Sequence, residues 1–139
     1  MGKDGGVTAP VVDRPLADAR LIVPADPRSL RLARLTASSL AADLDWSVDD
    51  IDDLRIAVDE LCAAIIVAAT PTAPLDIAFE RTDEGLAIEG MCETADESEV
   101  RLDPFAREML ELTTTRFEVD GDGSTRRFRL EKRPTNPDV

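Results

Sequence analysis

Apolar residues recur along this chain with two different periods, and the alternation between those periods sketches a fold. "ARLIVPA", residues 19–25, is a short apolar run closed by Pro24 and reads as an opening strand. In "SLRLARLTASSLAADL", Leu30, Ala33, Ala37, Leu40 and Ala41 repeat at helical spacing, with Ser29 at the N-cap position behind Pro27. After the connector "DWS", Ser47 caps a second helix. Its apolar stripe is Ile51, Leu54, Val58, Leu61 and Ile65, widened by Ala57, Cys62, Ile66 and Ala69, and Pro71 and Pro74 stop it. Asp50, three residues after Ser47, makes an acidic variant of the capping box.

"LDIAFERT" and "GLAIEGMCE" then alternate at period two around "TDEG", a hairpin whose Gly85 is expected to take the left-handed conformation. "DPFAREMLELTT" is a short amphipathic helix with Pro104 in its first turn. "TRFEVDGDGSTRRFRLEKR" supplies two last strands about a "DGDG" turn. Phe128 and Leu130 point to one side of it, and Arg127, Arg129 and Glu131 to the other. The order strand, helix, helix, strand, strand, helix, strand, strand predicts an α/β sandwich, a single mixed sheet with helices on one face. The Gly- and Pro-rich ends read as tails, residues 1–18 and 134–139, around one domain at 19–133.

Composition narrows what such a domain can do. Its 139 residues suit one domain, and 43% hydrophobic against 32% charged residues excludes wholesale disorder. The net charge of −13, from 29 acids and 16 bases, argues against direct nucleic-acid binding and toward a basic partner. The absence of histidine excludes histidine catalysis and most zinc sites. Cys62 and Cys92 are too far apart for a metal-binding spacing and read as small buried residues. No run is long enough to span a membrane and no signal-peptide pattern opens the chain, so a cytoplasmic location is expected.

Two features of the second helix carry chemistry. Asp49, Asp50, Asp52 and Asp53 crowd its N-terminus, where acids favour the helix dipole; that accounts for them better than a cation site. Further on, "VDELCAAIIVAAT" places Asp59 and Glu60 inside an otherwise buried run. An unpartnered carboxylate there costs several kcal/mol, so each needs an explanation. Arg55, four residues before Asp59, is its expected partner. Glu60 has none nearby and is the candidate chemical group.

The element order and "VDEL" late in the second helix resemble the Bergerat-fold ATPases that include histidine kinases. Within them the chain looks like the small RsbW-type anti-sigma factors, which are serine-protein kinases. The resemblance covers most of residues 19–133 and is strongest over 29–64. It implies that Glu60 is the N-box glutamate that positions the nucleophile, whereas the magnesium-binding asparagine four residues later is here Ala64. In the family's D-x-G-x-G motif, "IEGMCET" puts Gly90 in place of the aspartate and Cys92 and Thr94 in place of glycines. Residues 91–120 contain no glycine for a phosphate-cradling lid.

The resemblance therefore implies a degenerate nucleotide pocket at Glu60, Ala64 and Gly90, with Glu60 a vestigial base. No catalytic residue, metal or cofactor is expected, and ATP with magnesium enters only if the pocket still works. Arg34, with Arg31 one turn earlier, falls at the family's partner-contacting position on the first helix, although ordinary solvated arginines fit the same pattern. The implied function is an anti-sigma regulator, without catalysis, that acts as a homodimer. It sequesters a sigma factor and is released by an anti-anti-sigma antagonist. The alternative is an active serine kinase that phosphorylates the antagonist with Glu60 as base.

Overall fold

The computed structural model describes residues 17–67, 69, 73–95 and 99–135. The tails expected at 1–18 and 134–139 lie largely outside those residues, as does Pro71. The described elements follow the expected order: β1 (Ala19–Pro24), α1 (Leu30–Asp43), α2 (Val48–Ile66), β2 (Pro74–Arg81), β3 (Leu86–Glu93), α3 (Pro104–Thr113), β4 (Arg116–Asp122) and β5 (Thr125–Lys132). The strands form one five-stranded sheet in the order β1-β2-β3-β5-β4. The expected mixed sheet is corrected here, because every pairing between described strands is antiparallel. The reason lies in the connections. Two tight hairpins make β2–β3 and β4–β5 antiparallel, and α3 returns the chain so that β5 runs opposite to β3.

Strand alternation decides which face meets the helices. Leu75, Ile77, Phe79, Leu86, Ile88, Phe128 and Leu130 point to one side and join Leu54, Val58, Leu61 and Ile65 of α2 in a single core. α2 packs on α1, α3, β3 and β5, which makes it the central helix. The other face of the sheet is charged and internally neutralised. Arg20 makes a bidentate contact with Asp76 (2.9 and 2.6 Å), and Arg129 bridges Glu89 (2.6 Å) and Glu131 (3.2 Å). The basic side of β5 is thus a lattice of alternating charge.

Local signals mostly acted as expected, with informative exceptions. Ser47 Oγ accepts from the Asp50 amide at 3.1 Å, but Asp50 does not complete the capping box. Its carboxylate is buried and accepts two hydrogen bonds from Thr135, from the amide and the hydroxyl, both at 2.9 Å. Lys132, at the inward end of β5 and also buried, lies 3.8 Å from Asp50 and 4.0 Å from Asp53. The chain is thereby tied to the start of α2 as far as Thr135. Ser29 holds the cap position of α1 without a side-chain cap bond; Asp26, one turn earlier, accepts from the Arg28 amide and starts a 3-10 turn leading into the helix.

The connector between α1 and α2 ends the first helix with a left-handed residue, Asp45 at φ 62°. The Asp45 amide donates to Ala42 O and the Trp46 amide to Ala41 O, a Schellman closure with aspartate in the place glycine usually takes. Gly85 departs from expectation. Gly123 is the glycine with positive φ among the described residues, at φ 65°. Gly85 is needed for space instead, since a Cβ there would sit 2.0 Å from the Lys132 carbonyl oxygen. α2 ends at Ile66, earlier than the stripe implied, and Ala69 pairs with Thr94 in an isolated bridge.

Candidate functional site

A cleft opens between the end of α2 and the start of α3. Its lining is Glu60, Ala63, Ala64 and Val67 from α2 and Arg101, Leu102, Asp103 and Ala106 around the start of α3, enclosing about 210 Å³. Helical periodicity explains why Glu60 and Ala64 share it, since residues four apart lie one above the other. Glu60 is half-buried. Burial against the apolar wall raises its carboxyl above the ordinary glutamate range, and the charges of Asp59 and Asp103 push it the same way.

The α3 end of the cleft is closed by the protein's own side chain. Asp103 Oδ1 accepts from the Ala106 amide at 2.7 Å, and the first helical residue is Pro104, which has no amide hydrogen. A helix N-terminus normally offers free N–H groups to an anion. Here a carboxylate already holds that place. Opposite, Ala64 presents a methyl group, which has no lone pair for a hard cation. Among the described residues no group of three or more His, Cys, Asp or Glu is arranged to hold a metal ion.

Gly90 is not part of this lining. It faces the core and pairs across the sheet with Phe128. A Cβ on Gly90 would approach the Phe128 ring to 2.3 Å, so the missing side chain makes room for that ring. The structure thus brings Glu60 and Ala64 together and leaves Gly90 elsewhere. Asp103 escaped sequence reasoning, although Asp-Pro at the head of an amphipathic segment is an N-cap followed by an N1 proline and could have identified it.

The pairing expected between Arg55 and Asp59 is not formed. Arg34 Nη1 donates to Asp59 Oδ1 at 2.6 Å, linking α1 to α2, while Arg55 lies 3.8 Å from Asp52. The cross-helix partner wins because helix packing presents Arg34 directly to Asp59 at hydrogen-bonding distance. Arg34, Asp52, Arg55, Ile56 and Asp59 line a second groove, of about 330 Å³. Arg31 stands exposed on the outer side of α1, near the exposed Leu32 and Leu35. Cys62 and Cys92 are buried, and burial drives both thiols up, Cys92 to about 11, so neither supplies a thiolate at neutral pH.

Comparison with known proteins agrees with this architecture. A family model described as the histidine kinase-like ATPase domain matches residues 23–130. Among curated proteins, the serine-protein kinase RsbW of Bacillus velezensis is 45% identical over 40 residues, 29% of this chain and 25% of the relative. The serine-protein kinase RsbW of Bacillus licheniformis is 35% identical over 68 residues, 47% of this chain and 42% of the relative. The matched segments thus span less than half of those relatives. A solved structure of the RsbU and RsbW domains of a Mycobacterium tuberculosis protein superposes with a TM-score of 0.66 at 15% identity, covering 86% of this chain and 33% of that one. With a family model matching residues 23–130, most of its length, this chain belongs to the histidine kinase-like ATPase domain family.

Proposed function

We propose that this protein is an anti-sigma regulator that works by binding, with nucleotide handling lost. The observation that carries the reading is the cleft between α2 and α3. Ala64 stands one turn beyond Glu60 and supplies no ligand to magnesium, and the Asp103 carboxylate occupies the α3 terminus where a phosphate would sit. The residues present do not fit magnesium and ATP, so no step is routed through them. What remains is a scaffold with a docking surface. The outer side of α1 carries Arg31 beside Leu32 and Leu35, which are 42% and 53% exposed, an apolar patch with basic neighbours suited to an acidic and apolar element of a sigma factor. Release by an anti-anti-sigma antagonist and action as a homodimer follow from the family resemblance.

Arg34 is assigned to the same surface, held in place by Asp59. That pair complicates a simple Arg34→Asp test, because the change also sets two carboxylates against each other. The double variant Arg34→Asp/Asp59→Arg restores an internal pair while reversing the sign presented by α1. Sigma-factor co-purification from the native cell is expected to fall at least tenfold in that variant with its Tm near that of wild type. Unchanged capture removes Arg34 from the interface. Titration with a fluorescent ATP analogue and magnesium addresses the cleft separately, and micromolar binding overturns the loss of nucleotide handling.

A second reading has one observation in its favour. Glu60 keeps a raised carboxyl in the cleft, as a base for a serine kinase acting on the antagonist requires. Transfer of labelled phosphate to the antagonist by wild type, and its loss in Glu60→Gln, establishes that kinase.

A further inference from the structure

α3 carries an exposed apolar stripe that neither the core nor the α1 surface uses. Phe105 and Leu112 are seven residues apart and so share one side of the helix, and they are 68% and 71% exposed. Val67, at the end of α2, is 78% exposed and forms the cleft wall opposite Ala106. Contiguous exposed apolar side chains rimmed by polar residues are the form an interaction surface takes. The charges around them are mainly acidic. Glu60 and Asp103 stand in the cleft, and Glu108 and Glu111 lie exposed on α3 beside the stripe. Arg107 is turned away over the Phe117 ring, 5.7 Å from its centroid, which leaves Arg101 as the base in the cleft lining.

We propose that this stripe and the adjoining cleft form a second docking surface, for an amphipathic helical segment of a partner protein that carries lysine or arginine beside its apolar face. Charge decides the occupant. A second copy of this chain would bring another acidic rim from a protein of net charge −13, whereas a basic segment meets four carboxylates, Glu60, Asp103, Glu108 and Glu111, against the single base Arg101 of the cleft. A cation in the cleft also relieves the crowding that Glu60 suffers from Asp59 and Asp103. The surface is separate from the α1 patch and of opposite charge, so it holds whether or not the α1 reading does.

The test uses the full chain and three fluorescent 18-residue peptides read by anisotropy: an amphipathic leucine–lysine helix, a scrambled peptide of the same composition, and the leucine–glutamate counterpart of the first. The amphipathic basic peptide is expected to bind at least tenfold more tightly than either control. Phe105→Ala/Leu112→Ala is expected to weaken it at least tenfold, and Glu108→Lys/Glu111→Lys likewise, while Arg31→Ala/Leu35→Ala leaves it unchanged. These residues are exposed, so the variants should keep the wild-type Tm. Equal binding of the scrambled peptide, or equal binding by the stripe variants, reduces the effect to general charge attraction and overturns the proposal. Concentration-dependent self-association that disappears in Phe105→Ala/Leu112→Ala also overturns it, in favour of a second copy as occupant.

Discussion

At the scale of single residues, the cleft is governed by how each side chain is surrounded. Glu60 has a carboxyl raised by burial first and by two neighbouring acids second. A group with a native pKa above its unfolded value adds stability in its protonated form; that contribution is complete below the unfolded pKa and is lost as pH rises through the native one. Wherever Glu60 is ionised, its charge therefore opposes folding. Glu60→Gln is expected to raise the Tm at pH 7, with the advantage shrinking as pH falls through the carboxylate range. A lower Tm at pH 7 shows instead that the charge has a partner in the fold. Gly90 is a packing residue by the same logic. Gly90→Ala drives a methyl group into the Phe128 ring and is expected to cost about 1–3 kcal/mol in urea unfolding. Gly90→Ala/Phe128→Leu should recover part of that loss, and a double variant no better than the single one places the strain in the backbone.

At the scale of elements, legibility followed sequence distance. The stripe on α2, the alternation in β2, β3 and β5, and the proline at the head of α3 are all local patterns, and each element formed where its pattern lay. Glu60 and Ala64 were legible for the same reason, being one helical turn apart. What the sequence hid was long-range. Asp59 chose Arg34, 25 residues away, over Arg55, and Asp50 chose Thr135, 85 residues away, over its own helix end. The Gly90 position, read from motif alignment, proved to be set by a cross-strand neighbour. The Asp50 tie also makes the start of α2 and the exit of β5 one unit. Asp50→Asn removes the carboxylate nearest a buried lysine and is expected to cost about 3 kcal/mol, measured by chemical denaturation. In Asp50→Asn/Lys132→Met part of that loss should return, because no charge is left buried. Strict additivity of the two changes shows that Lys132 is satisfied without Asp50.

At the scale of the whole molecule, a net charge of −13 spread over 139 residues sets long-range repulsion against short ion pairs such as Arg20–Asp76 and Arg129–Glu89. Raising salt to about 0.5 M shortens the Debye length to a few ångströms, which removes the first effect more than the second. The Tm is therefore expected to rise between low and moderate salt, about 3 °C for each 1 kcal/mol at this size. A falling Tm assigns the larger share to the charged lattice on the sheet. The self-capped end of α3 has a further consequence at this scale. If nucleotide handling is lost as proposed, a protein that caps its own helix end with an aspartate has no place there for the cell's energy state to register. On that reading, regulation becomes a matter of copy number: the ratio of regulator to its partners, rather than the ratio of ATP to ADP, decides how much partner stays free.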